Sequence, residues 1–400
     1  MILGQVSWLD CIVFLVFLTP QLIAHAGFFR TLSCGLQALP FLLIKLPLSF
    51  IHDRYILDRA YRDPFVQHAT WFEDITVRCV RYAFAYIPPD IGRVFLSQPV
   101  ALPFLRFRMF RHGYLHSPIH WHEVKQNDFQ GLWIIENQFQ EPDVVIYYAH
   151  GGGFSMGSSY FYLEFFLAWL SLLKSSGFRN PAIFSLEYTL VPDKSYPVQL
   201  LQTIAGYKHV LSLSCDPARI CVSGDSAGAT LILSLLLYLE SITMDTLANI
   251  TDGKEIRDIR PGLAVLISPW VTLVSPKDKI TSGDYLNPTT LHQYAHQYAN
   301  KAIINSSLVS PGNCKNAERW KIASPAKGFF IHYGSEEVFA QEIRDWVVLL
   351  KSAGIAVESW EEKGGIHAWP VAALFLSSTR ERQKGIKMIS ERIRKLMCSK

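Results

Sequence analysis

The sequence predicts an α/β protein in which a mostly parallel sheet is flanked by helices. From about residue 121 onward, short apolar runs of strand length alternate with longer segments of helix length. Strands that alternate with helices usually pair in parallel, because each helix carries the chain back across the sheet. One predicted strand runs directly into three glycines, and another ends in a serine flanked by glycines. Residues 121–400 are therefore predicted to be the catalytic body.

The predicted elements follow one another along the chain. Strands are predicted at residues 131–137, 144–148, 182–186, 219–223, 263–268, 328–333 and 355–360. Helices are predicted at residues 160–173, 198–213, 230–238 and 342–353. Residues 275–324 are turn-rich with a helical patch near residues 291–302, and we expect a cap inserted between strands, since a structureless loop of that length is unusual. Residues 31–120, aromatic-rich and broken by prolines, are expected to add further cap helices, after an apolar segment at residues 1–30.

Ser226 lies in the stretch G-D-S-A-G, between a predicted buried strand and an apolar helix. Glycines two residues away on each side suit a serine on a tight strand-to-helix turn. The turn puts Ser226 at a helix N-terminus, where the backbone N–H of Ala227 can face a developing oxyanion. A serine that merely caps the helix would also fit this pattern, so the motif alone leaves a nucleophilic role open.

The candidate oxyanion donors are three consecutive glycines, Gly151, Gly152 and Gly153, which follow the strand at residues 144–148. Without Cβ atoms, their backbone N–H groups can approach a tetrahedral intermediate closely. The run precedes Ser226 by about 75 residues. In that position it matches the donor loop of an α/β hydrolase.

A base and an acid are expected after the last two predicted strands. His367 follows the last strand, and Glu336 and Glu337 follow the one before it. The order Ser226, Glu337, His367 is the order in which this fold carries its triad, with Glu336 as the alternative acid. His150, next to the glycine run, is expected to hold that loop in place. Four parts in this order indicate a Ser-acid-His hydrolase.

The chain resembles the hormone-sensitive-lipase-like family of α/β hydrolases, including its arylacetamide-deacetylase and fungal steryl-acetyl-hydrolase branches. The resemblance spans roughly residues 120–375 and is carried by His150-Gly151-Gly152-Gly153-Phe154, Glu187-Tyr188 through Pro192, Gly224-Asp225-Ser226-Ala227-Gly228, Ser268-Pro269-Trp270 and His367. It implies Gly152, Gly153 and Ala227 as oxyanion donors and a helical cap. Many members carry Asp at the acid position, where this chain has Glu336-Glu337, and counting from the following residues assigns Glu337.

The resemblance implies hydrolysis of a carboxylic ester without a metal or an organic cofactor. Similarity to the fungal branch suggests a lipophilic acyl or acetyl ester, such as a sterol or natural-product ester. The same residues would serve a tailoring hydrolase of secondary metabolism on a polyketide-type ester or thioester, or an acyltransferase. A non-catalytic ligand receptor on this fold is a remote alternative, because such a protein typically loses part of the triad.

Residues 11–29 carry no Asp, Glu, Lys or Arg, which approaches bilayer-spanning length. A single N-terminal anchor in the endoplasmic reticulum membrane is the preferred interpretation. Ala24-His25-Ala26 keeps a cleaved signal peptide and secretion open, and an amphipathic surface or substrate-access segment is a third possibility. The side of the membrane stays open, because later basic residues favour a cytosolic body whereas sequons at Asn249 and Asn305 would make a lumenal body a glycoprotein.

Composition and residue spacing further limit the classes of partner that the protein is expected to bind. A formal net charge of +4 over 400 residues is too small to argue for nucleic acid, and a 50% hydrophobic content supports a sizeable core. The seven cysteines show no zinc-like spacing, and no disulfide is predicted. His112, His116, His120 and His122 lack a carboxylate or cysteine that would complete a metal site. The expected partners are a small lipophilic ester and a membrane.

Overall fold

The computed structural model describes residues 1–214, 216–249, 259–278, 280–281, 283–378 and 381–398. The N-terminal part is helical. Its α-helices are α1 (Trp8–Ala26), α2 (Phe28–Pro40), α3 (Leu46–Ile51), α4 (Pro64–His68), α5 (Trp71–Tyr86), α6 (Pro89–Phe95) and α7 (Gln98–Arg111). Two π-helical turns, Phe41–Lys45 and His52–Ile56, make Phe28–Ile56 one continuous helical stretch, and Arg59–Tyr61 forms a 3-10 turn.

Strands and helices then alternate. The strands are β1 (His120–Lys125), β2 (Gln130–Ile135), β3 (Val144–Ala149), β4 (Pro181–Glu187), β5 (Ile220–Asp225), β6 (Leu263–Ile267), β7 (Phe329–Gly334) and β8 (Val357–Glu362). The helices are α8 (Leu163–Ser175), α9 (Val198–Ser214), α10 (Ala227–Asn249), α11 (Pro288–Tyr298), α12 (Ala317–Ala323), α13 (Ala340–Ser352), α14 (Trp369–Leu376) and α15 (Lys384–Cys398). Two further 3-10 turns lie at Pro217–Arg219 and Pro311–Asn313.

The eight strands form one sheet in the order β1-β2-β4-β3-β5-β6-β7-β8. Strand β2 pairs antiparallel with both β1 and β4, and all other pairs are parallel. The predicted mostly parallel α/β fold is therefore confirmed, and each of the seven predicted strands lies within two residues of an observed one. Sequence reasoning missed β1, because an edge strand with most of its side chains in solvent lacks the apolar run of a buried strand.

Two apolar clusters sandwich the sheet. Residues of β3 alternate between them: Val145 and Tyr147 belong to the cluster on one face, Ile146 and Tyr148 to the cluster on the other. All side chains of β3, β5, β6 and β7 are buried, as expected for parallel strands covered by helices on both faces. The carboxyl ends of these strands are held rigidly by this core.

Two N-terminal helical stretches, Trp8–Ala26 and Phe28–Ile56, are long and apolar enough to cross a membrane by length and composition. They meet at Gly27, whose φ of 81° lies in the left-handed region that favours glycine. The apolar sequence thus continues past residue 30, where the predicted N-terminal segment ends. Of the two sequons, Asn305 is exposed, and the one at Asn249 extends outside the described residues.

Candidate active site

Ser226 occupies the turn between β5 and α10, with a φ of 52°. Its N–H donates to the Ile267 carbonyl (3.1 Å) and its carbonyl accepts from the Trp270 N–H (3.2 Å). A Cβ on Gly228 would lie 2.0 Å from the Ala149 carbonyl oxygen, so the glycine lets helix α10 start against strand β3. The G-x-S-x-G spacing therefore reflects close backbone packing around a strained serine. Ser226 is only 5% exposed.

The glycine loop after β3 is fastened to the residue before the serine. Asp225 accepts hydrogen bonds from Tyr148 Oη (2.7 Å), Tyr162 Oη (2.7 Å) and the Gly151 N–H (2.8 Å). The Gly151 N–H is therefore engaged by a carboxylate and is not free for an oxyanion. Gly152 and Gly153 follow with φ values of 111° and 60°, which side chains rarely adopt.

His367 and Glu337 face each other after β8 and β7. His367 Nδ1 lies 3.9 Å from Glu337 Oε2, which is longer than a hydrogen bond. Neither His367 Nδ1 nor Glu337 Oε1 has a hydrogen-bond partner in the described part of the chain. Glu336 points its carboxylate elsewhere and accepts from Ser335 Oγ (2.9 Å). Of the two adjacent glutamates, Glu337 is the one whose carboxylate lies near the histidine ring.

Ser268, directly after β6, connects these groups. Its Oγ donates to Glu337 Oε2 (2.5 Å) and accepts from the Ala368 N–H (2.9 Å). Its own N–H donates to the His332 carbonyl (2.7 Å), and its φ is 45°. Residues 267–270, which hydrogen-bond to the backbone of Ser226, therefore also hydrogen-bond through Ser268 to the Glu337 carboxylate and to the loop that carries His367. The Ser268-Pro269-Trp270 sequence belongs to the family resemblance, but the sequence alone does not predict this contact of Ser268.

Asp284 is a further carboxylate that sequence reasoning missed. It is fully buried and accepts from the backbone N–H groups of His367 (3.1 Å), Val338 (2.9 Å) and Tyr285 (2.8 Å). It thereby ties the loop of Glu337 to the loop of His367. Asp284 belongs to the segment predicted to be a cap, and no spacing rule links it to residues 54 and 83 positions away.

Burial sets the protonation of the site. It lowers the pKa of His367 to about 3, so the imidazole is neutral at neutral pH. Burial also raises the pKa of Glu337, against the hydrogen bond from Ser268, while the charge of Asp284 raises it further. His150, fully buried and stacked on Tyr188 at 4.4 Å, has its pKa lowered to about 4 and points Nδ1 at the Gly151 carbonyl (2.8 Å).

The predicted site residues thus gather at the carboxyl ends of the central strands. Ser226 follows β5, the glycine loop follows β3, Glu337 follows β7 and His367 follows β8. This edge of the sheet thus carries a serine, a neutral imidazole, a carboxyl group and the glycine-rich loop. Acyl transfer from an ester requires these groups.

Comparisons with known proteins agree with this arrangement. The model of an alpha/beta hydrolase fold family matches residues 146–371. A Schizosaccharomyces pombe protein, mug81, provisionally named as a steryl acetyl hydrolase, is 26% identical over 62% of this chain and 65% of its own length. A Streptomyces hygroscopicus acetyl-hydrolase is 26% identical over 56% of this chain and 67% of its own length. The match with the yeast relative thus spans slightly less than two thirds of that protein.

Among solved structures, an esterase from the bacterial hormone-sensitive lipase family superposes with a TM-score of 0.62. The two chains are 22% identical, and the superposition covers 82% of this chain and 99% of the other. That likeness establishes the fold, and the matched family model extends over more than half of the chain. The chain therefore belongs to the alpha/beta hydrolase fold family, and its predicted resemblance to the hormone-sensitive-lipase-like branch is confirmed.

Proposed function

We propose that the protein is a serine carboxylic ester hydrolase with Ser226, Glu337 and His367 as its triad. The observation that carries the proposal is Ser226 itself, a strained serine at the N-terminus of α10 held by the same segment that binds Glu337 and the histidine loop. A triad held by shared backbone contacts keeps nucleophile, base and acid in a fixed relation.

In this proposal Ser226 Oγ attacks the ester carbonyl carbon, and His367 accepts the serine proton. The Gly152, Gly153 and Ala227 N–H groups stabilise the resulting oxyanion. Gly151 supports the loop through Asp225 instead of donating directly. The intermediate expels the alcohol with a proton from His367, and a water molecule activated by His367 then releases the acid from the acyl-serine. Glu337 orients the imidazole and stabilises its protonated form.

The proposed substrate is a lipophilic acyl or acetyl ester, such as a sterol or natural-product ester. The names of the acetyl-hydrolase and steryl acetyl hydrolase relatives support an acetyl ester. The apolar N-terminal helices support a lipophilic alcohol part and residence at a membrane. A tailoring hydrolase or an acyltransferase would use the same groups, and transesterification to an added alcohol would reveal the acyltransferase.

Replacement of Ser226 by Ala tests the reaction type. We expect turnover of a short p-nitrophenyl ester and labelling by a fluorophosphonate to be lost together. The Ser223→Ala variant is a matched control, since Ser223 lies in β5, the strand that leads to Ser226. Retained turnover or labelling in the Ser226→Ala protein would overturn the assignment.

A further inference from the structure

The N-terminal helices expose most of the large apolar side chains on the described surface. Eighteen of twenty-nine such side chains lie between Trp8 and Ile56, in about an eighth of the chain. We define the apolar face as the exposed surface of α1 and of the stretch Phe28–Ile56. Its most exposed members are Ile12, Val16, Phe29, Leu43, Leu48 and Ile56. A patch of this extent marks an interaction site.

The stretch Phe28–Ile56 is fastened to α5 and α6 along nearly its whole length. Four polar contacts do this: Arg30 with Asp90 (2.8 Å), Tyr82 Oη with the Gln37 carbonyl (3.1 Å), Arg78 with Ser49 Oγ (3.1 Å) and Arg54 with Asp74 (2.8 Å). Phe41 also stacks on Tyr82 with ring centroids 4.3 Å apart.

These contacts oppose a membrane crossing by this stretch. From Arg30 to Arg54 the helix rises about 36 Å, more than the roughly 30 Å hydrocarbon core of a bilayer. With the contacts intact, Asp74 would lie at the membrane surface beside Arg54. A crossing would nevertheless carry α5 from Arg78 to Tyr82 into the hydrocarbon, because these residues contact Ser49 and Gln37, and the charge of Arg78 is costly there. Asp74 is buried and ion-paired with both Arg54 and Arg78, so this end of the stretch is firmly held.

Helix α1 is held in the same way. At its start, Asp10 is fully buried and ion-paired with Arg108 (3.0 Å) and Arg111 (2.6 Å) of α7. Farther along, Phe14 packs against Phe104 with ring centroids 5.2 Å apart, and Leu18 is buried. One side of α1 therefore lies on α7, while its other side is exposed.

A neighbouring side of α5 reaches the candidate active site. Arg81 donates to the Asp284 carbonyl (2.6 Å), and Phe84 packs on Tyr285 with ring centroids 5.6 Å apart. Tyr285 Oη in turn donates to the His367 carbonyl (3.1 Å). A single helix thus separates the apolar face from the histidine loop.

The chemistry of the apolar face fits a lipid surface better than a protein. Its exposed members are mainly leucine and isoleucine, whereas protein interfaces favour aromatic residues, methionine and arginine. Trp8, Tyr55 and Trp71 are exposed at its margin, as is typical of aromatic side chains at a membrane–water boundary. Exposed Lys45 and Arg59 add positive charge that suits anionic headgroups.

We propose that α1 and Phe28–Ile56 lie in the plane of one membrane leaflet and dock the protein on it through the apolar face, without crossing the bilayer. An in-plane helix buries one apolar side among acyl chains and keeps its other side on the protein. This inference concerns membrane attachment and stands independently of the proposed ester hydrolysis.

Lipid crosslinking tests the orientation with the unaltered full-length chain. The protein is reconstituted into phosphatidylcholine vesicles containing lipids with a diazirine near the headgroup or near the acyl-chain end. We expect adducts of the shallow probe along the whole stretch Phe28–Ile56 and few adducts of the deep probe. Deep-probe adducts concentrated around Leu39–Leu43, with shallow-probe adducts only at the two ends, would overturn the proposal in favour of a crossing.

Paired variants test the surface. Leu43→Glu with Leu48→Glu should reduce the vesicle-bound fraction at least tenfold in flotation, because two charges enter the apolar face. Leu201→Glu with Val348→Glu is the matched control, since these exposed apolar residues lie on helices of the catalytic body. Circular dichroism and the thermal midpoint in mild detergent verify folding of both proteins.

A second copy of the chain is the main competing occupant of the apolar face. Light scattering in detergent-free buffer without vesicles detects it. A stable dimer that Leu43→Glu with Leu48→Glu dissociates, together with no vesicle binding by the unaltered protein, would overturn the proposal. Equal vesicle binding by both variant pairs would overturn it as well.

Discussion

The Ser268 hydroxyl donates a 2.5 Å hydrogen bond to Glu337 Oε2, the carboxylate oxygen 3.9 Å from His367 Nδ1. The same hydroxyl accepts from the Ala368 N–H (2.9 Å), next to the histidine. Ser268 thereby fixes where the carboxylate and the histidine loop lie relative to each other. We infer that it is a positioning residue for the proposed triad.

Loss of this hydroxyl should slow the reaction without weakening binding of a small ester. A hydrogen bond to a charged group contributes about 1.5–3 kcal/mol, so Ser268→Ala should lower kcat by about 10- to 100-fold with little change in KM. Steady-state kinetics on a soluble p-nitrophenyl ester measures both constants.

Two further variants separate the hydroxyl from the backbone. Ser268→Gly relieves the φ of 45° but also removes the hydroxyl, so it should be as slow as Ser268→Ala. Ser335→Ala removes a neighbouring hydroxyl that contacts Glu336 and the Gly364 N–H but not Glu337, and it should retain near-normal kcat. Restored activity in the glycine variant would show that backbone strain, and not the hydroxyl, is what matters at this position.

The two adjacent glutamates provide a direct comparison of acid candidates. Glu337→Gln should lower kcat by about 10³- to 10⁴-fold, because a neutral amide cannot stabilise the imidazolium that forms on His367. Glu336→Gln should change kcat less than about threefold, since its carboxylate accepts from Ser335 and is partly exposed. The opposite ranking would move the acid role to Glu336. Kinetics on the same soluble ester decide between them.

The fold and the positions of most candidate site residues could be predicted because both depend on local patterns. Buried strands give apolar runs, and the serine turn and the oxyanion loop need glycines where Cβ atoms would collide with Ala149 or Met156. Asp284 and Ser268 could not be found in this way. Their contacts join segments 54 to 100 residues apart, and a buried carboxylate that accepts three backbone N–H groups has no signature of its own in sequence.

The oxyanion loop shows a second limit of sequence patterns. From the sequence alone, the N–H groups of Gly151, Gly152 and Gly153 are equivalent candidates for oxyanion donors. Only the folded chain reveals that the Gly151 N–H is taken by Asp225, which also accepts from Tyr148 and Tyr162. Asp225, the aspartate of the G-D-S-A-G motif, thus holds the glycine loop in place, and the motif alone does not predict this role.

The N-terminal segment is an integral part of the folded protein. Asp10 shares a fully buried ion cluster with Arg108, which also binds Glu164 of α8 (2.7 Å). Removal of one partner leaves an unpaired buried charge, which costs about 3–5 kcal/mol. Asp10→Ala should therefore lower the free energy of unfolding by about that amount, measured by urea denaturation in mild detergent.

The same cluster bears on processing of the chain. Cleavage after Ala26 would remove Asp10 and leave Arg108 and Glu164 without it, so we expect the mature protein to retain this segment. Intact-mass measurement of the protein purified from a eukaryotic host checks this. A stable, active product that begins after Ala26 would contradict it. For the stability prediction on Asp10→Ala, the matched control is Arg93→Ala. It breaks the ion pair with Asp193 at the protein surface, and it should lower the free energy of unfolding by about 1 kcal/mol or less.

His332 should make the fold sensitive to acid. Its ring is fully buried on β7 and packs against Trp369 with ring centroids 4.7 Å apart. Neither ring nitrogen has a hydrogen-bond partner among the described residues. Burial, with a smaller contribution from the charge of Lys384, lowers the pKa of His332 to about 3. An unfolded chain binds a proton at His332 near pH 6.5, whereas the folded chain does not. Above about pH 6.5, His332 therefore leaves the free energy of unfolding unchanged. As the pH falls from about 6.5 toward 3, its protonation in the unfolded chain lowers the free energy of unfolding progressively.

The His332→Phe variant isolates this effect, because it keeps an aromatic ring and removes the titrating group. Between about pH 7.5 and about pH 5, the unaltered protein should lose about 2 kcal/mol more free energy of unfolding than the variant does. Urea denaturation at the two pH values measures the difference, with His296→Phe as a control at an exposed ring on α11. Equal losses in the unaltered protein and in His332→Phe would mean that His332 takes up its proton without unfolding, and hence that the buried ring gains a partner when charged.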